Sequence, residues 1–418
     1  MSPKRRTPLD PADRTVVIGG ARTPFGKFMG GLASFSAAEL GGFAIRAALE
    51  RSAVPAEAVD HVIMGQVLTA GAGQLPARQA AILGGIGMNV PATHVSKVCL
   101  SGTAAIADAD RLIRTGAAEV VVAGGMESMS QSPHVLPASR QGSRYGDFTA
   151  VDSMNHDGLW DVFTDHAMGM LTDATNAKPG GFTRQQQDEY AIKSHQRATR
   201  ARNEGTFSRE IAPVKVPRRR GESVSISQDE GVREDLTLEA LARLRPAFSP
   251  EGTITAGTAS PISDGAAALV LMSRRSAEER GLSWIAEIGS YASVAGPDST
   301  LQNQPARAIE EAALQEGLAP ADFDLIEINE AFAAVALASS STLDLSEDRV
   351  NRSGGALAIG HPLGASGARI VLHLALQLGL RRTGVGVAAL CGGGGQGDAL
   401  ILHAPSSETT NASTWQYS

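Results

Sequence analysis

Two cysteines, Cys99 and Cys391, are all that 418 residues contain, and they lie far apart with no Cys-x-x-Cys pair. That removes a disulfide framework and leaves a thiolate zinc site without ligands. No metal site is expected. Aromatic residues make up only 4% of the chain and the formal net charge is −7, so neither stacking platforms nor a basic footprint for nucleic acid is present. No run of about 18 apolar residues offers a membrane span. The opening MSPKRRTPLDPADR has no apolar core for a secretory signal and reads as a frayed arm. A cytoplasmic setting with unpaired thiols is therefore expected, in which Asn411-Ala412-Ser413 is a glycosylation sequon without meaning. The loop Gly360-His361-Pro362-Leu363-Gly364-Ala365-Ser366-Gly367 lacks the Lys-Ser/Thr ending of a phosphate loop.

Glycine is plentiful, with 46 residues, and 43% hydrophobic content is ample for a large core. The glycines concentrate around the scarce cysteine: Cys391 is followed by Gly392, Gly393, Gly394 and Gly395. Glycine loses more backbone freedom on folding than any other residue, so such a run implies close backbone approach.

The chain also repeats itself. AIRAALERSAVPAEAVDHVIMGQV (44–67) resembles AIEEAALQEGLAPADFDLIEINEAF (308–332), and SGTAAIADADRLIRTGAAEVVVAGG (101–125) resembles SGARIVLHLALQLGLRRTGVGVAALCGG (366–393). Each pair reads as an amphipathic helix followed by a short apolar strand, and the second pair ends its helices in Arg-Thr-Gly. Recurring helix–strand units predict an α/β fold with largely parallel sheets under helices, duplicated. The expected division is a first half over 14–130, completed by about 260–281; an inserted, partly helical loop subdomain over 131–259; a second half over 282–404; and a disordered tail over 405–418.

Chemistry concentrates at three points. Cys99, in KVCLSG, precedes a helix whose positive end would lower its thiol pKa and sharpen it as a nucleophile. His361 sits between glycines and before Pro362, more constrained than His373, which reads as a packing residue on an apolar helix. Cys391 ends a strand, where doubly wound folds place their sites. Taken alone, each cysteine remains open to a reading as a small buried residue.

VCLSG, GGMESMS, NEAFA, GGALAIGHPLGASGAR and CGGGGQG, in that order from about Val16 to Leu402, resemble the motif set of the thiolases. The resemblance implies an α-β-α-β-α layered fold and, in the biosynthetic type, acetyl-CoA acetyltransferase chemistry: condensation of two acetyl-CoA to acetoacetyl-CoA and CoA, and the reverse thiolysis. It assigns Cys99 as the acylated nucleophile, His361 as its activator and Cys391 as acid–base. Asn329 (through a water, with His361) and the backbone N–H groups of Cys99 and Gly393 would form two oxyanion sites. Met168, Ser260, Ala331 and Phe332 would lie beside the pantetheine. One of Arg218, Arg219 and Arg220 would meet a CoA phosphate. No cofactor is required beyond the CoA thioester substrates. Arg140–Phe148 resembles a tetramerisation loop, implying a homotetramer built as a dimer of dimers. Ala167 where many relatives carry histidine, Thr258-Ala259 in place of Asn-Ala, and Ser299–Pro305 in place of a Met-Gly-x-Gly-Pro segment leave acyl length open. The alternatives are a degradative 3-ketoacyl-CoA thiolase, a non-catalytic acyl-CoA or lipid binder, and, more weakly, a ketosynthase.

Overall fold

The computed structural model describes residues 11–142, 144–218 and 221–405. The first half runs β1 (Thr15–Arg22), α1 (Ala37–Ser52), β2 (His61–Gly65), α2 (Pro76–Leu83), β3 (Ala92–Val95), α3 (Ser101–Arg114) and β4 (Val120–Ser128). The insertion carries α4 (Met168–Asn176), α5 (Arg184–Asn203) and short hairpins, after which β5 (Ser263–Ser273) returns to the first half. The second half runs β6 (Ala286–Ala295), α6 (Gln304–Glu316), β7 (Leu325–Ile328), α7 (Ala333–Thr342), α8 (Leu363–Arg381), β8 (Val385–Gly392) and β9 (Gln396–His403).

The main strands lie in the order β7-β8-β9-β6-β1-β5-β4-β2-β3. β2, β3 and β4 are parallel, as are β7 and β8, but the strands between them pair antiparallel, so the sheet is mixed and not the largely parallel one expected. Among the described residues the strands of the two halves pair edge to edge where Val16 and Val17 meet Glu287 and Ala286. Beyond that narrow join they face each other across α3 and α8.

Strand alternation explains the layers. Val120 and Val122 pack outward with Ala44, Ile45 and Ala48 of α1, while Val121 and Ala123 pack inward with Ile106 of α3 and Ile370 of α8. In the second half Leu390, Leu400 and Leu402 face that same inner layer, while Val387, Ala389 and Ile401 face α6. Strands buried on both faces read as continuous apolar runs, as these do. The result is the expected α-β-α-β-α order. α8 is long and apolar enough by composition to cross a membrane, yet 83% of its most apolar window is buried inside the protein; it is the central core helix.

Glycine lets α3 and α8 begin against one another. A Cβ on Gly102 would lie 2.6 Å from the Ala368 nitrogen, and one on Gly367 would lie 2.5 Å from the Thr103 nitrogen. The insertion is anchored by charge beneath this layer. Arg22, fully buried, donates to Glu210 at 2.7 Å and to both oxygens of Asp229 at 2.6 and 2.8 Å. Glu210 in turn meets His373 Nδ1 at 2.8 Å, so His373 is the satisfied packing residue expected of it.

Candidate active site

The strand ends of both halves and the starts of α3 and α8 converge on one cavity of about 460 Å³. Cys99 reaches it from a tight elbow two residues before α3. Val98 takes φ +50°, a region that costs a β-branched residue roughly 1–3 kcal/mol. Ser101 holds the elbow closed: its hydroxyl donates to Val98 O at 2.6 Å and accepts from Lys97 N at 2.8 Å.

Cys391 ends β8 in a glycine hairpin, with Cys391 paired to Gly397 and Gly392 to Gln396. Gly394 and Gly395 have φ of +75° and +67°, which the turn requires. A Cβ on Gly392 would lie 2.6 Å from Leu100 Cγ, so the cysteine-bearing strand and the residue after Cys99 could not meet otherwise.

His361 is buried between the halves. Its Nδ1 lies 2.7 Å from Ser366 Oγ, and that hydroxyl donates to Pro362 O at 2.9 Å. The serine oxygen therefore accepts from Nδ1–H, which leaves the lone pair on Nε2. Nε2 is buried without a protein partner, as is Asn329 Oδ1. Asn329 follows β7 directly, and its amide lies 3.5 Å from His361 Nδ1. His361 Nε2 at the cavity wall is free to meet a substrate oxygen, and Asn329 Oδ1 behind it is free to meet a water.

Electrostatics correct one expectation. Cys99 stands before α3 as anticipated, yet its thiol is pushed up to about 12, because enclosure by apolar walls outweighs the N–H groups of Cys99 and Gly393 that favour the thiolate. The Glu127 carboxylate adds to that rise. Burial, with Cys99 alongside, also pushes the Cys391 thiol up, and burial lowers His361 to about 4. At neutral pH the resting site thus holds two thiols and a neutral imidazole able to accept a proton.

Cys99, His361, Cys391, Gly393, Met168, Ser260, Ala331 and Phe332 all line this cavity. Asn329 stands behind His361 and does not line it. Arg218 is exposed and absent from the lining; Arg219 and Arg220 lie outside the described residues. The arginine that does line the cavity is Arg233, in a stretch the sequence marked only as loop. Two further residues escaped sequence reasoning. Ser366 sets the imidazole tautomer, and its place five residues after His361 was the available signal. Glu127, in GGMESMS, accepts from Val67 N, Leu68 N and Gly364 N at 2.9–3.1 Å. Burial raises its carboxyl from 4.5 to about 7. Among the described residues no group of His, Cys, Asp and Glu could hold a metal ion.

Comparison with known proteins matches the thiolase N-terminal domain over residues 15–275 and the thiolase C-terminal domain over residues 282–404. The chain belongs to the thiolase family. It is 59% identical to a probable acetyl-CoA acetyltransferase of Mycolicibacterium smegmatis, over 93% of this chain and 100% of that one. It is 49% identical to an acetyl-CoA acetyltransferase of Cupriavidus necator, over 93% and 98% respectively. With a probable acetyl-CoA acetyltransferase of Escherichia coli it shares 47% identity over the same shares. As a thiolase it is an acyltransferase.

Proposed function

We propose that this thiolase is an acetyl-CoA acetyltransferase acting through an acetyl-Cys99 intermediate. The observation that carries the reading is the convergence of Cys99, Cys391 and the unpartnered Nε2 of His361 on one apolar cavity. Cys99 Sγ attacks the thioester carbonyl as its proton passes to His361 Nε2. The tetrahedral oxyanion is met by the N–H groups of Cys99 and Gly393, and the departing CoA thiolate takes the proton back from the imidazolium. In the second half-reaction Cys391 gives its proton to His361 and, as thiolate, removes the α-proton of a second acetyl-CoA. The enolate oxygen is met by His361 and by a water on Asn329. Its carbon attacks acetyl-Cys99, and the released Cys99 thiolate is reprotonated from the imidazolium. Thiolysis runs the same steps backwards.

CoA thioesters would enter past Met168 and Ser260, with Arg233 the cation placed for a phosphate. Beside Cys391 the cavity is closed by Leu301 and Phe332, with Ile254 packed behind them in the same cluster, which supports short acyl chains. A homotetramer is the accompanying proposal, supported by Tyr145, Phe148, Val162 and Phe163 exposed on one segment of the insertion. A cytoplasmic location is proposed with it, in line with two free cysteines.

The test is intact mass after incubation with acetyl-CoA, followed by a thiolysis profile against 3-ketoacyl-CoAs of increasing length. An acetyl group on Cys99 and a preference for acetoacetyl-CoA are expected. Folded, CoA-binding protein without the adduct would indicate a binder, and a large preference for long chains would indicate the degradative enzyme.

A further inference from the structure

Lys97, two residues before Cys99, reaches across to the second half. Its Nζ lies 2.7 Å from Asp398 Oδ1, 2.7 Å from Ser293 Oγ and 3.1 Å from Tyr291 OH. Asp398 is wholly buried, and its other oxygen accepts from Tyr291 OH at 2.6 Å. Arg111 of α3 stacks over the same tyrosine ring at 5.4 Å. The buried carboxylate thus has a proton donor on each oxygen, and it sits on β9 beside Gly397, the residue paired with Cys391. At its other end Lys97 is part of the elbow, its N–H held by Ser101 next to the strained Val98.

A residue kept at positive φ needs its surroundings to over-determine it. Ser101 closes the elbow from within but does not fix it relative to Cys391, which belongs to the other half. We infer that Lys97, gripped by Asp398, is a positioning residue for the reaction: the ion pair ties the Cys99 elbow to the hairpin that carries Cys391 and Gly393, and so sets the nucleophile against its oxyanion donor and its acid–base partner. Neither Lys97 nor Asp398 lines the cavity, so the pair acts through Cys99 and touches no substrate. The inference rests on Cys99 being the acylated residue.

The experiment measures single-turnover acetylation of Cys99 by mass spectrometry in the full-length protein, with CoA binding and thermal melting alongside. Lys97→Met keeps the length of the side chain and removes its charge; Asp398→Asn keeps the shape of the carboxylate; Lys97→Arg keeps the charge. Lys97→Met and Asp398→Asn are each expected to slow acetylation on the order of tenfold to a hundredfold, the cost of a small misplacement of a reacting group. CoA affinity should stay at the wild-type level, and Lys97→Arg should recover most of the rate. If Lys97→Met fails to fold, Asp398→Asn decides. Variants that melt earlier yet acetylate at the wild-type rate would overturn the inference and leave the functional reading intact. A wild-type protein that takes no acetyl group on Cys99 would overturn both.

Discussion

Asp60 and Asp324 stand at the same place in the two halves. Asp60 donates its N–H to Val120 O and accepts Val120 N on its carboxylate, both at 2.9 Å; Asp324 does the same with Val385 at 2.8 and 3.0 Å. From that shared start the strands run in step, so Met126 falls opposite Cys391, and Gly65 opposite Asn329. Ser101 and Ser366 match as well, although Ser101 opens α3 and Ser366 lies in the first turn of α8. Each hydroxyl donates to a backbone carbonyl just before its helix, but one accepts from Lys97 N and the other from the His361 imidazole. The same scaffold position holds a backbone elbow in the first half and an imidazole in the second. In the proposed mechanism the duplication divides the labour: the first half keeps the nucleophile and packs its strand ends, while the second gathers the asparagine, the imidazole and the acid–base thiol.

The sharpest way to break that division is to remove one thiol from each half. Cys99→Ala should lose acetylation and turnover together. Cys391→Ala should still accept an acetyl group at Cys99 while condensation falls by roughly 10²–10⁴-fold, the range for losing a general base. Equal loss of acetylation in both would mean that the halves do not divide the work. A smaller effect is expected from Ser366→Ala, which removes the acceptor that holds Nδ1–H. Turnover should drop on the order of tenfold or more as the imidazole samples the wrong tautomer and orientation. Ser101→Ala, its counterpart, should leave the pH dependence of turnover unchanged while Ser366→Ala alters it. Matching pH profiles for the two would contradict the contrast.

Much of this was legible in the sequence because the chemistry sits in local motifs. KVCLSG, NEAF, GHP and CGGGG each place their residue at a strand end or helix start, and the repeat announced the duplicated layers. The register of that repeat was not legible. With Val120 matched to Val385, Arg114 falls opposite Gly379 rather than Arg382, because α8 begins earlier and ends later than α3; the two Arg-Thr-Gly runs mark helix ends, not equivalent positions. The direction of the Cys99 shift was also hidden, since a helix start is visible in sequence and an apolar enclosure is not. Arg233 and Asp229 escaped for the same kind of reason: a charged loop carries no sign of which of its residues turn inward.

Glu127 has no counterpart in function, and its replacement tests how far the first half supports the second. Its carboxylate holds Gly364, three residues after His361, as well as the loop after β2. The folded state keeps this proton up to about pH 7, against an ordinary 4.5. Between those values the folded protein binds more protons than the unfolded chain, so stability falls as pH rises from about 4.5 to about 7, by about 3 kcal/mol in all. Glu127→Gln should lose that slope in urea titrations run across the window. It should also let Cys99 react faster with iodoacetamide near pH 8, because the neighbouring negative charge is gone. An unchanged slope would place the protonation elsewhere.

The smallest effect tests the wall beside Cys391. Leu301 comes from the segment Ser299–Pro305, where the sequence departs from many thiolases, and it packs in one cluster with Ile254, Phe332 and Cys391. Leu301→Ala opens room for added methylenes on the acyl chain, each worth about 1–3 kcal/mol in an apolar pocket. The ratio of kcat/KM for 3-ketohexanoyl-CoA to that for acetoacetyl-CoA should rise on the order of tenfold, with acetylation of Cys99 by acetyl-CoA nearly unchanged. A ratio that stays put would mean that chain length is limited on the Cys99 side of the cavity, by Leu159 or Leu363, and not by the wall beside Cys391.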